Sequence, residues 1–197
     1  MKKLLVLVAA ALLISGNSLA QLDPDDNGVG VYFDPCGCCM PCIPLPEGEG
    51  FAWLVITHPS APAGIGGWEC RLEVEGPVAI LGYNLLGANP INFTVEPNFL
   101  VGLSEPLVNP FTFPTLVVME IHFLVLDVQP AIEFYLEPNW TPSIPGELAY
   151  ADGVDPDILY IMRQSTGGPG EPVAVVNGDC PVANEDATWG QVKTLYR

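Results

Sequence analysis

The chain has 197 residues and a formal net charge of −17, from 6 basic and 23 acidic side chains. This charge repels nucleic acid and anionic lipid, which excludes both as default partners. A hydrophobic content of 49% excludes a disordered polyelectrolyte, while 20 Gly and 21 Pro favour turns and short strands over long helices.

Residues 1–20 predict a secretory signal peptide. Lys2 and Lys3 form its positive start, residues 4–14 form its apolar run, and small residues precede a cleavage site after Ala20. The apolar run is too short to cross the ~30 Å hydrocarbon core of a bilayer, so we expect no membrane span after cleavage. The mature protein is therefore expected to be secreted, periplasmic or at the cell surface.

Residues 21–49 form an acidic and Cys/Pro-rich N-terminal segment, in which one stretch matches a calcium-binding loop. Its candidate oxygen ligands are Asp23, Asp25, Asn27 and Asp34. Position 30 carries Gly where a branched apolar residue is usual, and no helical pattern precedes the loop. A solvated acidic arm is therefore the alternative to calcium binding.

Six cysteines in an exported chain predict disulfides. The candidates are Cys36, Cys38, Cys39, Cys42, Cys70 and Cys180. Either Cys70 pairs with Cys180, or these two residues attach the 36–42 cluster to the domain. The competing interpretation is a periplasmic metal-binding protein, because the four thiols of the 36–42 cluster could complete a tetrahedral shell around a metal ion.

Strand patterns recur about every ten residues after position 50, which is the spacing of a sandwich or barrel. Strands are predicted at residues 29–33, 51–57, 67–75, 78–83, 91–95, 99–103, 116–127, 131–136, 158–162 and 173–176. They predict a mainly β fold, an antiparallel β-sandwich of jelly-roll or immunoglobulin-like type over residues 50–182.

Two of these strands have the clearest patterns. In strand 67–75, apolar residues alternate with charged ones from Trp68 onward, which is typical of a half-buried strand. Strand 116–127 carries apolar residues at alternate positions from Val117 onward, and we interpret it as a central strand. Residues 131–136 are expected to pair with it as a hairpin neighbour.

Catalysis finds little support in the sequence, and no catalytic residue is assigned. Glu120 and His122 lie two residues apart on one strand face, but no nucleophile motif accompanies them, so we interpret them as a structural pair. A carboxylate-dependent hydrolase stays open as an alternative, because the separation of paired carboxylates is a three-dimensional property.

Four aromatic residues, Trp53, Trp68, Trp140 and Tyr150, raise the possibility of carbohydrate binding. Trp53 and Trp68 lie on apolar strand faces and are expected in the core. Trp140 lies in a loop between prolines and is the candidate for stacking on a ligand. The triplets Asn92-Phe93-Thr94 and Asn139-Trp140-Thr141 match the glycosylation sequon.

Residues 183–197 are predicted to form a short C-terminal helix, with Thr188 and Gln191 as a capping box. Its Trp189 and its basic residues, Lys193 and Arg197, leave three alternatives. The helix packs on the core, docks on the acidic body, or binds something outside the chain.

The segments 67–74 and 117–123, which read Gly-Trp-Glu-Cys-Arg-Leu-Glu-Val and Val-Val-Met-Glu-Ile-His-Phe, resemble paired strands of cohesin-like modules. The resemblance covers residues 50–136 and implies a secreted jelly-roll sandwich that serves surface assembly and glycan-related adhesion. The cysteine cluster, residues 177–182 and the basic tail have no counterpart in that family, so dockerin binding is not carried over. The tail is similar to the endings of uncharacterised secreted bacterial proteins, which implies export.

Composition, leader and strand pattern together predict an exported, non-enzymatic β-sandwich protein for binding, adhesion or assembly. Its expected partner is an unknown protein or glycan. No cofactor is expected other than the calcium considered above.

Overall fold

The computed structural model describes residues 25–34, 40–108 and 114–181. These residues form twelve β-strands and no helix. The strands are β1 (Gly28–Tyr32), β2 (Cys42–Ile43), β3 (Gly48–Thr57), β4 (Ile65–Glu75), β5 (Val78–Leu85), β6 (Ile91–Asn92), β7 (Asn98–Leu107), β8 (Thr115–Val125), β9 (Ile132–Glu137), β10 (Leu148–Asp152), β11 (Leu159–Gln164) and β12 (Ala174–Val176).

The strands form two layers around one hydrophobic core. Layer A has the order β5–β8–β3–β1, and layer B contains β6, β7, β4, β9, β10, β11, β12 and β2. Rings from the two layers meet in the core, where Phe123 and Phe134 have centroids 5.6 Å apart and Tyr83 and Phe99 are 5.0 Å apart. Strand β1 joins the layers, because it pairs with β3 along one edge and with β11 along the other.

The mainly β prediction is confirmed, but the sheet is not purely antiparallel. Strand β1 runs parallel to β11, and β2 runs parallel to β12. Both β1 and β2 precede residue 50, where the sequence placed the start of the sandwich, yet both are paired into the layers. The predicted signal peptide 1–20 and the predicted helix 183–197 lie outside the described residues.

Strand β8 is central in layer A, but a bulge changes its inward face. Leu54 lies opposite Met119 and Val55 lies opposite Val117, which leaves Val118 as an extra residue. Leu116 and Val118 are therefore buried, and Val117 is only half-buried. The strict alternation predicted from Val117 onward is correct from Met119 onward and wrong before it.

The expected hairpin between β8 and β9 is wrong. Both edges of β8 are already occupied, by β3 and by β5. The chain after β8 therefore crosses to layer B, where β9 pairs with β4 and β12. The segments 67–74 and 117–123 belong to β4 and β8. Because these two strands lie in opposite layers, the two segments are not paired with each other.

Strand β4 organises layer B, and its alternation is confirmed by the burial of Trp68, Cys70 and Leu72. One edge of β4 pairs with β7. The other edge pairs first with β10 and further along with β9. Residues 138–147, here called the inserted loop, leave the sheet between these two strands and return to the same edge.

Candidate ligand-binding face

Two Asn-aromatic-Thr triplets form turns that hold an aromatic ring in solvent. In the first turn, the Asn92 Oδ1 accepts hydrogen bonds from the Thr94 backbone N (3.2 Å) and from the Thr94 hydroxyl (2.9 Å). The same oxygen accepts a bond of 2.9 Å from the Leu100 N on β7. The ring between them, Phe93, is 68% exposed. An Asn side chain that closes a turn on its own backbone is a common way to fix such a conformation.

The second turn repeats this arrangement in the inserted loop. The Asn139 Oδ1 accepts a hydrogen bond of 3.0 Å from the Thr141 N, and the Asn139 Nδ2 donates to the Phe99 carbonyl at 2.8 Å. The intervening Trp140 is 65% exposed. The structure thus places Trp140 in solvent, where the sequence expected it.

Asn98, at the start of β7, connects the two turns. Its backbone carbonyl accepts hydrogen bonds from Asn92 and Thr94. Its side chain donates to the Asn139 Oδ1 at 3.1 Å and accepts from the Trp140 N at 3.0 Å. Asn98 is 2% exposed, so these polar atoms are satisfied by each other. Both aromatic residues are therefore positioned through one buried side chain and its backbone.

A groove of about 310 Å³ runs over the outer side of layer B, where it is lined by Phe93 of the first turn and by Ser143 of the inserted loop that carries Trp140. Its floor includes Gly102, Gly67 and Ala151, which lie side by side on β7, β4 and β10. Phe93 lies over Gly102, because a Cβ at position 102 would be 3.1 Å from the Phe93 Cε2. The small floor residues leave the backbone close to any bound molecule. Phe93, Trp140 and this groove are called the aromatic face below.

Glu69 fixes the far side of the inserted loop. Its carboxylate accepts hydrogen bonds from the Ser143 N (2.8 Å) and the Ser143 hydroxyl (3.1 Å). Glu69 points outward from β4 but is only 3% exposed, because the loop covers it. The loop that carries Trp140 is thus held at Asn139 on one side and at Ser143 on the other.

The structure does not bring the calcium candidates together. Asp23 lies outside the described residues. The Asn27 Oδ1 already accepts hydrogen bonds from the Ser60 N (2.8 Å) and the Tyr150 hydroxyl (2.6 Å). Asp25 pairs with Arg163, and strand β1 separates Asn27 from Asp34. A five-residue strand spans ~17 Å, which is too far for both residues to ligate one ion.

Two of the six disulfide candidates form a bond. Cys42 is joined to Cys180, with the Cα atoms 5.2 Å apart. The prediction that Cys70 forms a disulfide is wrong, because Cys70 points into the core as a buried free thiol. Burial, with a smaller contribution from Glu69, raises the pKa of this thiol far above its usual range. The other candidates, Cys36, Cys38 and Cys39, lie outside the described residues.

The structure also gives the positions of the Glu120–His122 pair and of the other aromatic candidates, and several of them differ from the prediction. The His122 Nε2 lies 3.2 Å from the Glu49 Oε2, so the carboxylate partner of His122 is on β3 and is not Glu120. Trp53 lies on the outer side of layer A and is half-buried, whereas Trp68 is a core residue as expected. Tyr150 is 1% exposed and cannot stack on a ligand. Among the described residues, no group of three or more His, Cys, Asp or Glu could hold a metal ion.

Three residues that form or support the aromatic face were not identified from the sequence: Phe93, Asn98 and Glu69. A signal for Phe93 was available in the sequence. Both Asn-aromatic-Thr triplets were interpreted only as glycosylation sequons, whereas their common pattern also indicates a common turn. Asn98 and Glu69 gave no signal, since their partners lie 41 and 74 residues away. The residues that the structure describes include no helix long and apolar enough to cross a membrane.

The fold and this face define a β-sandwich that carries a preformed aromatic surface. No protein-family model and no curated protein matches the chain. Among solved structures, the chain is similar to the sixth cohesin of scaffoldin B from Acetivibrio cellulolyticus in complex with a Cel5 dockerin mutant, with 11% sequence identity and a TM-score of 0.48. The match covers 79% of this chain and 100% of that chain. That protein belongs to the family that the segments 67–74 and 117–123 resemble in sequence.

Proposed function

We propose that this protein is an exported, non-enzymatic binding module that holds a glycan chain on the aromatic face. The observation that carries the proposal is the repeated Asn-aromatic-Thr turn, which keeps Phe93 and Trp140 68% and 65% exposed. A large aromatic side chain that lies in solvent does not stabilise the core. A turn that holds such a side chain in solvent therefore favours a binding role. Two such turns joined by Asn98 favour one ligand that contacts both rings.

A glycan fits the shape and chemistry of this face. Sugar rings present flat apolar surfaces that stack on aromatic side chains, and their hydroxyl groups need polar partners nearby. The aromatic rings rise from polar turns, and the groove between β7 and β10 has Gly102, Gly67 and Ala151 as its floor. A sugar ring can therefore lie close to the backbone of the sheet. Because the Asn side chains fix the backbone of both turns before binding, little backbone entropy is lost on association.

A protein partner is the second candidate, and one observation favours it. Ile91 and Val95, on either side of Phe93, are 56% and 76% exposed. Apolar residues of this kind around an aromatic anchor are typical of the centre of a protein interface. The experiment below separates a protein partner from a glycan.

Export is supported by the Cys42–Cys180 disulfide, because such bonds persist in oxidising compartments. We propose that residues 1–20 are removed and that the mature chain begins at Gln21. Amino-terminal sequencing of the protein recovered outside the cytoplasm tests this point, and a chain that retains Lys2 and Lys3 would contradict it. The metal-binding alternative loses support, since the Cys42 thiol is occupied by Cys180.

Glycan binding is tested with the mature protein on an array of immobilised plant, fungal and bacterial polysaccharides, followed by titration calorimetry with the best oligosaccharide. We expect Trp140→Ala and Phe93→Ala each to weaken binding ~10-fold or more, as for aromatic anchors elsewhere. Leu126→Ala is the matched control, because Leu126 is also exposed (53%) but lies at the end of β8. It should leave the affinity unchanged.

The outcomes are distinct. Equal losses in all three variants, or no binding to any polysaccharide, would overturn glycan recognition. A second readout uses Asn98→Asp, which keeps the acceptor for the Trp140 N but removes the donor to Asn139. If Asn98 positions both rings, this variant should weaken glycan binding while both aromatic side chains are still present.

A further inference from the structure

The outer side of layer A presents a second, different surface, which we call the stacked face. It consists of Glu49, Phe51 and Trp53 on β3 and Glu120 and His122 on β8. The rings of Phe51 and His122 stack with centroids 4.5 Å apart and planes 6° apart. The Glu49 carboxylate lies 3.2 Å from the His122 Nε2, and Phe51 is nevertheless 42% exposed. This surface is flat, partly apolar and open to solvent.

Glu120 gives the stacked face an unmatched negative charge. It lies opposite Trp53 on β3 and opposite Asn84 on β5, and it is half-buried. Among the described residues it has no hydrogen-bond or ion-pair partner. The two arginines of the described chain are engaged elsewhere, Arg71 with Glu73 and Arg163 with Asp25. A half-buried carboxylate beside an indole ring favours an occupant that supplies a cation and an apolar side chain.

The C-terminal segment leaves the described fold at the end of the sandwich where β3 begins. Asn177 exchanges two hydrogen bonds with the backbone of Leu45, at 2.8 Å and 2.9 Å. Leu45 packs near the start of β3, since a Cβ at Gly50 would be 3.2 Å from the Leu45 Cδ1. The disulfide then fixes Cys180 beside Cys42. Residues after Pro181 therefore start at the end of the sandwich where Glu49 begins the stacked face.

We propose that residues 182–197 dock on the stacked face of the same molecule, with Trp189 against Phe51 and the basic residues Lys193 and Arg197 near Glu120. The segment is long enough. Trp189 is eight residues beyond Pro181, a reach of up to ~27 Å when extended, and Phe51 lies ~7 Å along β3 from Glu49, which leaves ~20 Å for the step from Pro181 to the start of the strand. The charges match, because Lys193 and Arg197 are the basic residues after the leader that lie outside the described, ion-paired set. This proposal does not depend on glycan binding.

Photo-cross-linking of the mature full-length chain tests the docking. A p-benzoylphenylalanine replaces Trp189, and cross-linked peptides are identified by mass spectrometry after irradiation of dilute protein. We expect intramolecular cross-links to peptides that contain Phe51–Trp53 or Glu120–His122. Cross-links confined to the aromatic face, cross-links only between molecules, or no cross-links would each overturn the proposal.

Two further variants control for the charges and for chance encounters. Adding Lys193→Glu and Arg197→Glu should lower the cross-link yield about threefold, in line with exposed ion pairs. The same probe at Val154, which is 80% exposed in a different loop, should give no cross-link to β3 or β8. An unchanged yield in the charge-reversed chain would overturn the role of Glu120. Thermal unfolding of each variant verifies that the sandwich is intact.

Discussion

The two outer faces of the sandwich use aromatic residues in opposite ways. On layer A, Phe51 lies within a strand and stacks on His122 of the neighbouring strand. On layer B, Phe93 and Trp140 lie in turns, where Asn side chains bind the backbone and leave the rings 68% and 65% exposed. In a strand, each aromatic residue lies beside residues of the neighbouring strands and can pack on them. A turn, in contrast, can hold a ring away from the rest of the protein. Of these three aromatic residues, the two carried by turns are thus the more exposed.

The largest expected effect concerns the core that both faces share. Phe134 is fully buried, and its ring contacts Phe123 of layer A at 5.6 Å and Phe33 at 5.7 Å. We expect Phe134→Ala to lower the free energy of unfolding by ~3–5 kcal/mol, because the cavity lies where the layers meet. Chemical denaturation measures this loss. Phe51→Ala, at the surface, should cost less than ~1 kcal/mol. Equal losses for the two variants would break the distinction between core and face.

The next effect concerns the disulfide, which fixes the end of the molecule from which the tail leaves. Cys42 and Cys180 are 138 residues apart in sequence, so the bond restricts the unfolded chain strongly. Cys180→Ser should lower the free energy of unfolding by ~2–5 kcal/mol. Cys42→Ser should give the same loss, and the double variant no more than either single one. Additive losses would show that the two thiols act separately.

Two neighbouring glycines sharpen the comparison within layer B. A Cβ at Gly67 would lie 2.6 Å from the Val101 carbonyl oxygen, so Gly67→Ala should destabilise the sheet by ~1–3 kcal/mol. A Cβ at Gly102 would meet the movable ring of Phe93 at 3.1 Å. Gly102→Ala should therefore weaken ligand binding with little loss of stability. Thermal unfolding and calorimetric titration of both variants measure the difference, and a reversed result would place the floor of the groove elsewhere.

The smallest effect appears only at high pH. Burial, followed by Glu96 and Cys70, raises the pKa of Tyr83 to about 12. Between pH 10 and that value the folded state keeps a proton that the unfolded state releases, so stability is complete below pH 10 and falls as pH rises further. Unfolding free energies measured across this window should fall less steeply for Tyr83→Phe than for the wild type. Parallel curves would contradict the desolvation of the half-buried Tyr83 side chain.

Patterns within a single strand were sufficient to predict much of the fold, and contacts between distant strands were not. The alternation around Trp68 places β4 correctly, because burial of one face requires a period of two. The bulge at Val118 cannot be read from its own strand, since it depends on the register against β3. Strand β10 was missed because it is short and rich in alanine, and its pairing with β4 supplies what its sequence lacks. Trp140 was found from its loop, but Asn98 was not, because its partner is a side chain 41 residues away.

The interrupted edge of β4 has a consequence for how this protein can be altered. Glu137, the last residue of β9, lies opposite Arg71, and Ala149 of β10 lies opposite Glu69, so pairing resumes where it stopped. The inserted loop is therefore outside the register of the sheet. Its length and composition can change without moving a strand, provided that Asn139 and Ser143 keep their anchors. If the aromatic face binds a ligand as proposed, loop exchange at this position would change the residue in place of Trp140 while the strands keep their register.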